Sequence, residues 1–162
     1  MSVLVVNRTE SKFEVLINAD RIHDLLLDLI RVDFGVKDLK SFVRRRYGSE
    51  NGLCKFVEFN QFMNTMKNKV NATALKLSDD ITSANTIHPV NMEEYEKRRG
   101  YQDEALINCE VITKDLQKIV NTFDVNVNLY RDSIKAIDRE IGLIKKWRQG
   151  DNKIKSRLKG NI

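Results

Sequence analysis

Two apolar stripes in the second half of the chain constrain its fold more than any other feature. Within each stripe the residues are alternately three and four positions apart, which places them on one face of an α-helix. A reversal at residues 124–126 would bring the two faces together, so residues 91–153 are predicted to form an antiparallel helical hairpin. The first stripe is Ala105, Cys109, Ile112, Leu116, Ile119 and Phe123, and the second is Val127, Tyr130, Ile134, Ile137, Ile141 and Ile144.

This hairpin needs further helices, because neither of its helices can bury its stripe alone. Burial of one aliphatic side chain contributes roughly 1.5–3 kcal/mol, so the stripes favour association with other helices. In the first half of the chain, one helix is predicted from an N-cap at Thr9 to about Asp33. A short basic helix over residues 37–47 follows, and then a loop at residues 48–52 and a long helix over residues 53–84.

The start of the third long helix carries the clearest capping signal. Asn91 and Glu94 have the spacing of a capping box, and Pro89, the single proline, lies just before them. Gly100 inside this helix marks either a kink or a close helix contact. Because one proline and seven glycines interrupt the chain so rarely, we predict an all-α protein. The expected architecture is an up-down-up-down four-helix bundle with a short extra basic helix after the first helix.

Three parts are expected along the chain. Residues 1–8 form an N-terminal arm, residues 9–154 the four-helix bundle, and residues 155–162 a basic C-terminal tail. No stretch approaches the roughly 20 apolar residues that a membrane-spanning helix requires. We therefore expect a soluble, cytoplasmic protein that does not associate with a membrane.

Candidate catalytic and metal-binding residues are few. His23 and His88 are the only histidines, and neither lies beside a plausible nucleophile in a recognisable pattern. Cys54 and Cys109 are 55 positions apart and form no CxxC motif, and Cys109 lies on the apolar stripe. The chain also lacks a Glu-x-x-His pair and a phosphate-binding glycine-rich loop. These observations predict a non-enzyme with no catalytic residue, no metal site and no cofactor.

Positive charge is the strongest functional signal. Residues 145–162 contain seven basic residues and one acidic residue, a net charge of +6 in a chain whose total is +5. In the predicted topology this segment lies at the same end as the start of the third helix, so charge is expected to concentrate at one pole. Cations grouped on one surface bind phosphate backbones. The candidate nucleic-acid-binding residues are Arg44, Arg45, Arg46, Lys97, Arg98, Arg99, Lys145, Lys146, Arg148, Lys153, Lys155 and Arg157.

Other interpretations of these residues remain open. The basic segment also fits a solubilising tail whose cations complement the helix dipole. Trp147 either closes the core or offers a stacking face for a base. Charges of alternating sign in the last helix form either a solvated face or a docking strip for another subunit. These are Arg131, Asp132, Lys135, Asp138, Arg139 and Glu140.

Two segments resemble a known family. Residues 85–116 (NTIHPVNMEEYEKRRGYQDEALINCEVITKDL) and residues 137–153 (IDREIGLIKKWRQGDNK) resemble bacterial bundle proteins similar to the accessory variability determinant of diversity-generating retroelements. That group is similar in turn to bundle proteins encoded in intervening sequences of 23S ribosomal RNA genes. The likeness is close over most of the second half and extends to the first half only in helical pattern. The matching positions are Tyr95, Arg98, Arg99, Tyr101, Gln102, Trp147, Arg148, Asp151, Asn152 and Lys153.

The resemblance implies a homopentameric bundle that binds nucleic acid and associates with a retroelement reverse transcriptase. Such a subunit would support mutagenic, template-RNA-primed cDNA synthesis, and the polymerase would carry the chemistry. It would contact RNA and also the cDNA. Two alternatives remain: a structural protein–protein interaction bundle with no nucleic-acid role, and a toxin-like or antitoxin-like bundle. The second would require nuclease residues, which the sequence does not offer.

Overall fold

The structure, a computed structural model, describes residues 3–160 apart from the side chains of residues 3–13 and 49–51. Residues 1, 2, 161 and 162, at the ends of the predicted arm and tail, lie outside the described residues. The all-α class is confirmed, because the described chain contains helices and a single isolated β-bridge but no strand. The helices are α1 (Val3–Arg31), α2 (Leu39–Thr86), α3 (Met92–Thr122) and α4 (Arg131–Gly160), with short 3₁₀ helices at Asp33–Gly35 and Val127–Tyr130.

Both ends of the chain are more helical than the sequence predicts. Helix α1 begins at Val3, so Thr9 is an internal residue and not its N-cap. Helix α4 continues to Gly160 through most of the predicted tail. The β-branched residues near the N-terminus lower helix propensity by only a few tenths of a kcal/mol each, which is too little to end a helix. At α3 the prediction is confirmed, because the Asn91 side chain accepts a hydrogen bond of 2.9 Å from the Glu94 backbone N–H.

The connection after α1 is tied to the start of α4. Gly35 has a positive φ of 70°, as expected for a glycine that follows a helix end. Its carbonyl accepts a hydrogen bond of 2.9 Å from the Asn126 N–H, and the Tyr130 hydroxyl donates one of 2.7 Å to the Phe34 carbonyl. The two connections therefore form one end of the molecule.

Helix α2 contains a sharp reversal that the sequence places in a five-residue loop. Only Gly48 leaves the helical conformation, with φ 76° and ψ 173°. The rings of Phe42 and Phe59 are 5.8 Å apart, whereas a straight helix would separate these residues by roughly 25 Å. The chain therefore folds back at Gly48. The predicted loop at residues 48–52 is wrong in extent, and we call residues 39–60 the Gly48 hairpin.

The two predicted stripes form one part of the core, and buried apolar residues of α1 and α2 form most of the rest. Every residue of the first stripe, from Ala105 to Phe123, is buried. In the second stripe Ile137 and Ile144 are buried, whereas Val127 is 59% exposed because it belongs to a 3₁₀ helix and not to α4. No helix within residues 3–160 has the length and apolar character needed to cross a membrane.

Helices that contact one another run in opposite directions. Along α1 and α4, Asn18 contacts Glu140 and Phe34 contacts Tyr130, so residue numbers rise on one helix as they fall on the other. Helices α2 and α4 each pack against both α1 and α3. The opposite directions of α1 and α2 and of α2 and α3 follow from four side-chain contacts: Asp20 with Ser78, His23 with Asn71, Lys69 with Asp115, and Asp80 with Asn108. For α3 and α4 they follow from the contacts of Tyr95 with Asn152 and of Arg99 with Arg148.

Candidate nucleic-acid interface

The outward face of α4 carries a continuous group of cations. At 100° per residue, Lys145, Lys146, Lys153 and Arg157 lie within an arc of about 120°, and we call these four residues the basic stripe. All four are exposed, and no ion pair engages them among the described residues. Ile144, Trp147 and Asp151 lie on the opposite side of the helix and are buried.

The basic stripe contains no acidic residue because the only one nearby faces inward. Asp151 is the single acidic residue between Ile141 and Gly160, and its side chain is 6% exposed. It pairs with Arg98 of α3, whose side chain is 1% exposed. The Arg98 Nε and Nη2 atoms donate hydrogen bonds of 2.7 and 2.9 Å to the two carboxylate oxygens. The negative charge is thus neutralised inside the protein, and the outward face of α4 from Lys145 to Arg157 carries no acidic side chain.

Arg98 belongs to a network that joins α3 to α4. Its Nη1 donates to the Ile87 carbonyl at 2.9 Å, and its guanidinium lies 5.1 Å from the centre of the Trp147 ring. Gln102 donates a hydrogen bond of 2.8 Å to Asp151. We call Arg98, Gln102, Trp147 and Asp151 the α3–α4 network. The predicted nucleic-acid-binding site is therefore corrected at Arg98, because a buried arginine cannot contact a nucleic acid on the protein surface.

Trp147 closes the core. Its side chain is 7% exposed and lies against Arg98, so the stacking face that the sequence left open is not presented to solvent. The network also unites the two segments of the family resemblance. Tyr95, Arg98, Arg99 and Gln102 contact residues of the α4 group, as shown by the Tyr95–Asn152, Arg98–Asp151, Arg99–Arg148 and Gln102–Asp151 hydrogen bonds.

Three other predicted cations at this end are partly engaged. Arg99 is half-buried and donates a hydrogen bond of 3.1 Å to the Arg148 carbonyl. The Arg148 guanidinium lies 2.7 Å from an Asp103 carboxylate oxygen. Lys155 is exposed, with its ammonium 5.8 Å from the centre of the Tyr95 ring. Lys97 is exposed at the start of α3 and adds to the charge of this end.

Arg44, Arg45 and Arg46 lie at the opposite end of the molecule. They belong to the first arm of the Gly48 hairpin, in which Phe42 packs 6.2 Å from Phe123 at the end of α3. All three are exposed, and the Arg46 guanidinium lies 5.9 Å from the centre of the Phe42 ring. The predicted single basic pole is therefore wrong for these three residues, because the short basic helix folds back beyond the connections and not toward the end of α4.

The residues considered for chemistry have structural environments. His23 Nε2 lies 2.9 Å from the Asn71 side-chain oxygen, between α1 and α2. Burial, together with the nearby Glu140 carboxyl, raises the pKa of the Cys109 thiol to about 12, so this cysteine is a poor nucleophile. Within the described residues, no three His, Cys, Asp or Glu side chains are grouped to hold a metal ion.

The environment of Glu140 was not predicted, because the sequence places this residue on either a solvated face or a docking strip for another subunit. It is fully buried, and the Asn18 side chain donates hydrogen bonds to its carboxyl at 2.6 Å and to the Ala136 carbonyl at 2.9 Å. Burial raises the pKa of Glu140 to about 8. Its spacing from Ile137 and Ile144 is the signal that identifies it, because Glu140 occupies a position on the apolar stripe.

Comparisons with known proteins give no relative: no protein-family profile, curated protein or solved structure matches this chain.

Proposed function

We propose that this protein is a non-enzymatic, cytoplasmic, nucleic-acid-binding subunit that acts beside a retroelement reverse transcriptase. Its ligand would be the template RNA or the RNA–cDNA intermediate, and it would act as a homo-oligomer, a pentamer if it follows the family it resembles. The observation that carries the proposal is the basic stripe of α4, whose cations face outward while Asp151 faces Arg98 in the interior.

An up-down-up-down four-helix bundle is the architecture that we propose for this subunit. Its support is the opposite directions of neighbouring helices and the packing of α2 and α4 against both α1 and α3. In this arrangement the end of α4 lies beside the start of α3, which brings Lys97 close to the basic stripe. The α3–α4 network would hold α4 in place, so the cations would be presented on a fixed surface.

The dimensions of the stripe suit a phosphate backbone. From Lys145 to Arg157 the helix axis advances roughly 18 Å. A duplex of that length carries roughly ten phosphate charges. Four lysine and arginine side chains on one face can therefore each reach a phosphate, and each such contact releases condensed counterions. Binding of this kind is independent of sequence, which fits a subunit that follows a template of varying sequence.

A charge-reversal experiment tests this proposal. We expect the Lys146→Glu, Lys153→Glu and Arg157→Glu triple variant to lose at least about a hundredfold in affinity for labelled structured RNA, measured by fluorescence anisotropy at low salt. The matched control changes three exposed cations at the other end, with Lys114→Glu, Lys118→Glu and Arg131→Glu. The control changes the net charge by the same amount but leaves the basic stripe intact, so its affinity for RNA should fall far less. Equal loss in both variants would show that only total charge matters.

The second candidate function is a protein–protein interaction bundle with no nucleic-acid role. The exposed apolar residues Leu53 and Val57 favour it, because the side chains are 78% and 48% exposed on one side of α2. Absence of RNA and DNA binding at low salt would leave this candidate as the function of the chain.

A further inference from the structure

The Gly48 hairpin encloses a groove between its two arms. Lys40, Val43 and Arg44 line it from the first arm, and Leu53 and Phe56 from the second, with Gly48 and Gly52 also on its wall. The cavity has a volume of about 380 Å³, within the range of roughly 300–1,000 Å³ that ligand pockets occupy. An added Cβ at Gly48 or Gly52 would meet no atom within 4 Å, so the groove is open beside both glycines.

The floor of this groove is apolar and partly uncovered. Of its lining residues, Val43 is buried and Leu53 is 78% exposed. Val57, which lies outside the lining one turn further along α2, is 48% exposed. Phe56 is half-buried beside them. Exposed aliphatic side chains at i and i+4 beside a groove offer the contacts that an amphipathic helix makes with its apolar face. An apolar surface of this kind gains free energy when a partner covers it.

The rim of the groove is positively charged. Lys40 and Arg44, the two cations that line the groove, are exposed one turn apart on the first arm. On the second arm, Lys55 is paired with Glu58 at 2.8 Å, so that acidic residue does not offset the rim. A partner with carboxylates beside its apolar residues would satisfy both the floor and the rim.

We propose that this groove is the docking site for an acidic amphipathic helix of a protein partner. Charge complementarity selects this occupant over two others. A second copy of the chain packed groove to groove about a two-fold axis would bring the same cations against Lys40 and Arg44, which is unfavourable. A nucleic acid would satisfy the cations but would leave the exposed Leu53 side chain without apolar contact.

The test uses two labelled synthetic helical peptides against the full chain. Both carry leucines at i, i+3, i+4 and i+7; the first has glutamates at the flanking positions and the second has lysines there. By fluorescence anisotropy, we expect saturable binding of the glutamate peptide and at least about tenfold weaker binding of the lysine peptide. Leu53→Asp should weaken binding of the glutamate peptide about tenfold or more, because the substitution places a carboxylate in the apolar floor.

Matched variants identify the surface. Leu75→Asp, at another exposed leucine of α2, should leave peptide affinity unchanged. The combination of Lys40→Glu with Arg44→Glu should reverse the preference, so that the lysine peptide binds more tightly than the glutamate peptide. The proposal is overturned if the two peptides bind equally, if the glutamate peptide does not saturate, or if Leu53→Asp has no effect.

Two further measurements separate this proposal from its competitors and from the proposed function. Sedimentation velocity of Leu53→Asp should match the wild type, and dissociation of an oligomer would instead assign the groove to a second copy. RNA affinity should survive Leu53→Asp, while peptide affinity should survive reversal of the basic stripe. Loss of RNA binding in the Lys40→Glu, Arg44→Glu variant with peptide affinity unchanged would assign the groove to nucleic acid.

Discussion

The guanidinium of Arg98 donates two hydrogen bonds, of 2.7 and 2.9 Å, to the carboxylate of Asp151 inside the protein. The pair joins α3 to α4 at positions that the apolar stripes would otherwise fill. Two buried charges are costly to desolvate, so the pair stabilises the fold only while both partners are present.

Removal of one partner should therefore be severe. Arg98→Ala leaves Asp151 buried and without its cation, and we expect a loss of about 3–5 kcal/mol in the free energy of unfolding, measured by urea denaturation. Arg148→Ala is the matched control, because its pair with Asp103 is partly exposed and should be worth about 1 kcal/mol or less. A loss at Arg98 no larger than the loss at Arg148 would contradict the role assigned to the buried pair.

A second buried acid should make stability depend on pH. The pKa of Glu140 is raised from 4.5 to about 8 in the folded protein, chiefly by burial. The unfolded chain therefore loses this proton at lower pH than the folded protein does. Stability should be highest below about pH 4.5 for this group and fall as the pH rises to about 8, by an amount on the order of several kcal/mol.

Glu140→Gln isolates this effect. The amide can still accept the hydrogen bond from Asn18 but does not ionise, so the variant should be more stable than the wild type at pH 8. Urea denaturation between pH 5 and 9 measures the difference between the two proteins. Burial also raises the pKa of Asp80, and that contribution is common to both proteins and cancels. Parallel pH profiles would show that Glu140 does not carry the dependence.

The apolar stripes made the long helices predictable, but they did not predict that two carboxylates of α4 would be buried. Glu140 and Asp151 continue the spacing of Ile137, Ile144 and Trp147, and the structure buries both. Burial of these carboxylates could not be predicted, because the sequence does not reveal the partner that neutralises or binds each one. Asn18 and Arg98 supply that partner from other helices, at sequence separations that no local pattern covers.

The position of the arginine run was unpredictable for a different reason. Gly48 to Gly52 has the composition of a loop, yet only Gly48 leaves the helical conformation. Phe42 packs against Phe59 and Phe123, and this packing outweighs the low helix propensities of residues 48–52. This fold-back determines where Arg44, Arg45 and Arg46 lie, and it depends on tertiary contacts rather than on local sequence.

The fold-back should require glycine at position 48. With φ 76° and ψ 173°, this residue occupies a region that side chains strongly disfavour, so Gly48→Ala should cost about 1–3 kcal/mol. Gly52→Ala is the control, because Gly52 is helical with open space around it and alanine should stabilise the helix by about 0.5–1 kcal/mol. Hydrogen exchange of residues 39–47 would report the effect, and equal protection in both variants would argue against the strained turn.

The two cysteines should differ sharply in reactivity. Cys54 is exposed, whereas Cys109 is buried with a pKa raised to about 12. Titration of the native protein with a thiol reagent at pH 8 should therefore modify one thiol rapidly, and a second only after addition of denaturant. Rapid modification of both thiols in the native protein would contradict the packing of α3.

If the basic stripe of α4 contacts phosphates, the affinity for RNA should depend steeply on salt concentration. We would measure fluorescence anisotropy from roughly 50 to 200 mM salt for the wild type and for the Lys146→Gln, Lys153→Gln, Arg157→Gln variant. Each lost phosphate contact reduces the magnitude of the negative slope of log K against log salt by roughly 0.7–0.9. We expect a slope shallower by about two to three in the variant, and an unchanged slope would show that the basic stripe does not contact phosphates.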